Sequence, residues 1–129
     1  MLGKLSGILI IASPGRMRSS FLVLLKSLFP HIQIEQTQDI PIATHLLETH
    51  PSLLVLIDAD LPEEQGWQIG LLVRQLYLQH HVMMLAHKTC QIDRANLAQL
   101  DALLLDGITS AALTDAFQVF FGSEKPGID

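Results

Sequence analysis

The residues with the most chemistry to offer stand where apolar runs end. Leu53–Asp58 reads LLVLID, a run that delivers the carboxylate of Asp58 to the carboxyl end of a buried strand. Asp60 comes two residues later, and Pro62 and Gly66 punctuate the loop that follows. A strand-end acid either takes up a group or a ligand, or is satisfied by loop amides and water. Asp58 and Asp60 are read as facing apart and too close in the chain to hold Mg²⁺ by themselves, so no metal site is expected. Ser13–Ser20 (SPGRMRSS) sets two arginines at a helix start, where backbone amides attract anions. From there Arg16 is placed to reach Asp58, as an anion-binding or salt-bridging cation. Six histidines are present, but no H-E-x-x-H or Cys/His ligand spacing joins them. His80-His81 read as a turn and His87 as part of a crevice rim. Cys90 has only Lys88 nearby to activate it. G-x-S-x-G, G-x-x-x-x-G-K-[ST] and G-x-G-x-x-G are all absent, which leaves hydrolase and nucleotide-binding readings without a motif.

Elements must hold these groups in place, and the composition supports a packed domain. Of 129 residues, 49% are hydrophobic and 16% charged, so the chain can bury a full core. A formal charge of −5 offers no basic footprint for nucleic acid or anionic membrane. A single cysteine and no secretory leader point to a cytoplasmic setting. Residues 1–121 read as one domain and 122–129 as a polar tail.

Along the chain, strands are expected at Gly7–Ala12, His31–Gln36, Ser52–Asp58, Val82–Ala86 and Ala102–Leu105. Between them lie helical patterns. Ser13-Pro14 reads as the cap of a first helix with Met17, Phe21, Leu24, Leu25 and Leu28 on one face. Asp39 caps a second helix, with Ile42, Leu46 and Leu47 inward. Trp67, Ile69, Leu72, Val73 and Leu76 mark a third helix running to about Gln79. The fourth covers Ile92–Gln99, and the fifth starts near Thr109 with Leu113, Ala116, Phe117 and Phe120 on one face. Strand and helix alternating five times specify an α/β, doubly wound parallel sheet. Sites in such sheets form at the carboxyl ends of the strands. Ser13, Asp58, Ala86 with His87, and Asp106 all fall at those ends.

Asp58, Leu61, Pro62 and Gly66 fit D-x-x-L-P-x-x-x-G. With this motif, residues 7–121 resemble the CheY-like receiver domain of bacterial response regulators. Leu100–Phe117 is similar to the fifth strand and last helix of receivers attached to helix-turn-helix output domains. The resemblance implies a flavodoxin-like (βα)5 fold with strand order 2-1-3-4-5. It also implies that Asp58 is equivalent to the aspartate that accepts a phosphoryl group from a histidine kinase. Four departures set this chain apart. Ala12 and Ser13 stand where the family has an acid pair, Ala86 where it has Thr or Ser, and Asp106 where it has Lys. Mg²⁺ wants carboxylate and phosphate oxygens, so its binding is expected to be weak and no cofactor is implied. Phosphoryl transfer relies on positioned positive charge. An aspartate about 6 Å from the transferring group would oppose it by roughly 2–3 kcal/mol per charge pair.

The expectation is a non-enzymatic, receiver-like signalling module that works by protein–protein association. Its partner, another protein or a second copy, would meet the face made by the fourth helix, fifth strand and fifth helix. Two other readings are a conventional phosphoacceptor using Asp58, with a histidine kinase as partner, and a small-anion or ligand binder using the crevice and Arg16. Ile10, Leu54, Leu56 and Leu104 are expected in the core.

Overall fold

The structure is a computed structural model describing the backbone of residues 5–121 and side chains as far as residue 117. The tail 122–129 and the side chain of Phe120 lie outside the described residues. The elements run β1 (Gly7–Ile11), α1 (Arg16–Leu28), β2 (Ile34–Thr37), α2 (Ile40–Thr49), β3 (Leu53–Asp58), α3 (Gln65–Leu76), β4 (His81–Ala86), α4 (Thr89–Leu97), β5 (Asp101–Leu104) and α5 (Ser110–Phe121). A 3-10 turn, Pro62–Glu64, leads into α3. The strands form one parallel sheet in the expected order, 2-1-3-4-5.

Every residue of β1 and β3 is buried, as continuous apolar runs require when helices cover both faces. The pleat divides them between two cores. Leu9, Ile11, Val55 and Ile57 pack beneath α2, α3 and α4. Ile8, Ile10, Leu54 and Leu56 pack beneath α1 and α5, where Phe29 and Phe117 stack with centroids 6.0 Å apart. Gly70 lets α3 lie close on the sheet, since a Cβ there would meet the Met84 sulfur at 3.0 Å.

Local details depart from the sequence reading. Ser13 does not cap α1; Gly15 does, without a side-chain hydrogen bond. Asp39 caps α2 as expected, accepting from Ile42 N at 3.1 Å, but Ile42 itself is exposed. The buried stripe of α2 is Ala43 and Leu47. Leu76 closes α3 facing solvent, so the helix stops at the last residue of its apolar pattern, short of the expected Gln79. Leu104 is only partly buried, unlike Ile10, Leu54 and Leu56, because β5 is the sheet edge and has no strand beyond it. His81 begins β4 rather than lying in a turn.

His80 is the least expected core residue. At 6% exposure it joins the end of α2 to the start of β3. Its Nδ1 accepts from Leu53 N at 2.8 Å, so its Nε2 carries the proton and donates to Leu47 O at 2.6 Å. Burial holds its pKa below the ordinary histidine value, outweighing the upward pull of the Leu47 carbonyl. No helix among the described residues is long and apolar enough to cross a membrane.

Candidate functional site

β3 ends at Asp58, which is paired in register with Leu85 of β4. The chain then turns: Ala59 N donates to Leu85 O at 3.0 Å and Leu61 N to Asp58 O at 3.2 Å. Gly66, at the start of α3, completes this turn. A Cβ at that position would sit 2.5 Å from Asp58 O, a backbone atom with no room to give. The glycine of the loop motif is therefore required by the close approach of α3 to the end of β3. Glu63 and Glu64 carry the chain into α3 in left-handed conformations, at φ 58° and 64°. Arg94 of α4 pairs with Glu64, lowering that carboxyl's pKa, and lies 4.2 Å over the Trp67 ring. These contacts tie α4 to the loop that follows Asp58.

Asp58 is buried, with 8% exposure, and its Oδ1 is doubly engaged. Asp60 N donates to it at 2.9 Å, and His87 Nε2 lies 2.7 Å away, donating when that nitrogen is protonated. Asp58 Oδ2 accepts no hydrogen bond from any described residue. Asp60 does not face away from Asp58, because the turn at Ala59–Asp60 folds its side chain back over the same crevice. Its Oδ2 lies 3.8 Å from His87 Nε2, and its Oδ1 accepts from Gln91 Nε2 at 2.6 Å. Gln91 Oε1 in turn accepts from His87 N at 2.7 Å and Lys88 N at 3.2 Å. A glutamine three residues into α4 thus satisfies the helix start and holds both His87 and Asp60.

The other strand-end residues take different places. Ala12 is fully buried, and its carbonyl accepts from Arg18 NH1 at 3.0 Å. Ser13 is half-buried and Ala86 wholly buried. Asp106 is exposed in the turn after β5 and makes no hydrogen bond or ion pair among the described residues. Arg16 is likewise exposed and does not reach Asp58; the contact expected of it is made by His87. Two cavities, of about 320 Å³ between α2 and α3 and about 230 Å³ near His80, include none of Asp58, Asp60, His87 or Arg16 in their walls.

Sequence reasoning left His87 as a rim residue and missed Gln91. The usable signal for Gln91 was its place three residues after Lys88, the position from which a side chain reaches back to an exposed helix start. Asp58, Asp60 and His87 together offer two carboxylates and an imidazole, with donor atoms within 4.8 Å of one another. These are the described residues that could hold a metal.

Comparison with solved structures places the fold. The receiver domain of a sensor histidine kinase from Pseudomonas aeruginosa, crystallised with magnesium coordinated in its active-site cleft, superposes with a TM-score of 0.71. It shares 21% identity, over 92% of this chain and 99% of that one. A CheY-like receiver domain from Methanospirillum hungatei gives 0.71 at 18% identity, over 90% and 93% of the two chains. The receiver domain of a Saccharomyces cerevisiae response regulator, co-crystallised with a histidine phosphotransfer protein, gives 0.72 at 15% identity, over 94% and 91%. The fold is that of a CheY-like receiver domain. No protein-family model and no curated sequence matches the chain. In this receiver fold Asp58 ends the central strand, β3, and the crevice around it is closed over by His87 from the loop after β4.

Proposed function

We propose that the chain is a receiver-type signalling module of two-component or phosphorelay systems that works by protein association, without phosphoryl transfer. The observation that carries this reading is the His87–Asp58 contact at 2.7 Å, which occupies the acceptor-equivalent carboxylate with the protein's own side chain. The surroundings agree with it. Ala12 and Ser13 leave the end of β1 without the acid pair that would complete a Mg²⁺ site beside Asp58. Ala86 has no hydroxyl to move toward a phosphoryl group, and Asp106 supplies no ammonium. A crevice built in this way lacks the acid pair and the cation that phosphoryl transfer uses in the family it resembles.

The partner surface we assign is the face of α4, β5 and α5. Leu97 on α4 is 89% exposed, and Ala111 and Ala112 at the start of α5 are exposed, small residues that permit close approach. One receiver neighbour, from yeast, is co-crystallised with a histidine phosphotransfer protein, which supports a protein partner here. The location is assigned to the cytoplasm, with the other components of such systems.

The test treats the full chain with beryllofluoride and Mg²⁺ and follows the amide NMR signals around Asp58. Signals that stay in place support the reading. A saturable shift that vanishes in Asp58→Asn establishes Asp58 as a conventional phosphoacceptor instead. Sedimentation at rising concentration, with Leu97→Glu as the variant, locates the association surface. Self-association that survives Leu97→Glu moves that surface elsewhere.

A further inference from the structure

We propose that the cavity at the amino ends of β4 and β5 binds a small zwitterion of the aliphatic amino-acid type, its carboxylate on Arg74 and its ammonium on Asp101. The cavity holds about 230 Å³, below the roughly 300–1,000 Å³ usual for drug-sized ligands, so it selects against a nucleotide or a larger cofactor. Arg74 comes from the last turn of α3, and Asp101 is the first residue of β5. Both line the cavity, and neither side chain makes a hydrogen bond or ion pair with another described residue. Two unpaired charges of opposite sign at one cavity are both answered by a ligand that carries both complements.

The rest of the lining suits the remainder of such a molecule. Val73, Val82 and Leu78 give the cavity an apolar wall for an aliphatic side chain. Leu78 is 76% exposed, and covering it would remove apolar surface from water. His80 and His81 also line the cavity. Both ring nitrogens of His80 are committed to the backbone, at Leu53 N and Leu47 O, so His80 adds shape rather than charge.

A second observation is independent of the charges. Gln99 lines the cavity from just past the end of α4, in a left-handed conformation at φ 60°. Its N donates to Asn96 O at 3.1 Å, and Leu100 N donates to Ala95 O at 2.8 Å, the two bonds of a Schellman closure. That position favours glycine, so glutamine carries a backbone cost there. A carboxamide that hydrogen-bonds the ligand accounts for a side chain where the backbone prefers none. Gln99 and Asp101 flank the junction of α4 and β5, so an occupant sits against one end of the proposed partner face.

The test follows amide NMR signals of the full chain during titration with L-leucine, N-acetyl-L-leucine and L-leucinamide. The second probe lacks the ammonium and the third lacks the carboxylate. L-leucine should give saturable shifts within residues 73–82 and 99–101. Each analogue should bind roughly 10-fold more weakly, for want of one charge-assisted hydrogen bond. Arg74→Gln should abolish the preference for L-leucine over L-leucinamide, and Asp101→Asn the preference over N-acetyl-L-leucine. A general loss of structure would not divide the preferences in this way. Gln99→Gly should weaken L-leucine binding while raising the urea midpoint, because glycine relieves the left-handed backbone. Shifts absent up to about 10 mM L-leucine, or three probes that bind alike, overturn the proposal. So does a Gln99→Gly chain with unchanged affinity. The cavity lies at the end of the sheet away from Asp58, so these outcomes leave the reading of that crevice to its own test.

Discussion

Replacing Asp58 with asparagine, alone and together with His87→Ala, measures what the carboxylate–imidazole contact contributes to the fold. Asparagine keeps nearly the same shape, and its Oδ1 can still accept from Asp60 N and His87 Nε2. What it loses is charge. Hydrogen bonds to an ionised acceptor are worth about 1.5–3 kcal/mol net, against roughly 0.5–1.5 for neutral pairs. Two such bonds converge on Oδ1, at 2.9 and 2.7 Å, so neutralising it would cost about 2 kcal/mol in a dry site. The side chains of His87 and Asp58 are 28% and 12% exposed, and water reaching them reduces the expected loss to about 1 kcal/mol. The coupling between Asp58→Asn and His87→Ala should be of similar size, about 1 kcal/mol. Urea unfolding followed by the fluorescence of Trp67, which is 5% exposed, reads all four proteins. Relief of repulsion between Asp58 and Asp106 would instead make Asp58→Asn stabilising. Asp106 is exposed and makes no contact with Asp58, so no such gain is expected. A coupling indistinguishable from zero, or a more stable Asp58→Asn, would refute the reasoning.

Gly66→Ala should destabilise by about 1–3 kcal/mol in the same assay, because the new methyl meets the Asp58 carbonyl at 2.5 Å. An unaffected urea midpoint would show that α3 can move off β3 freely. His80 should make stability depend on pH. Its folded pKa lies below the unfolded value near 6.5, so its contribution is complete above that pH and is lost as pH falls through the depressed folded value. Unfolding between pH 7.5 and 5 should therefore show a steeper loss in the natural protein than in His80→Gln; parallel losses would count against the buried neutral imidazole. Mg²⁺ should produce no saturable change in Trp67 fluorescence below several millimolar, while Ala12→Asp with Ser13→Asp should introduce one. Tight Mg²⁺ binding by the unaltered chain would contradict the account of the crevice.

The sheet was legible in the sequence because burial on both faces leaves a plain signature. GILII and LLVLID carry no polar interruption before their ends, so the number and alternation of the elements followed from apolar runs and helical spacing, while the strand order came from the resemblance. The placement of Asp58 followed too, since a run that stops at a carboxylate locates the end of its own strand. Periodicity was less informative where a helix lies at a boundary or a strand at an edge. Ile42, Leu76 and Leu104 are apolar residues in the right rhythm, yet no neighbouring element covers them fully. The site itself was decided only in three dimensions. His87 and Asp58 are 29 residues apart and Gln91 and Asp60 are 31 apart, so no local spacing announces either contact. They meet because β3 and β4 are adjacent and parallel, which brings the loops after both strands to the same end of the sheet. His80 shows the same limit at the opposite end. In the chain it is one polar residue in a turn, and only the packing of α2 against β3 supplies the carbonyl and the amide that make a buried imidazole stable.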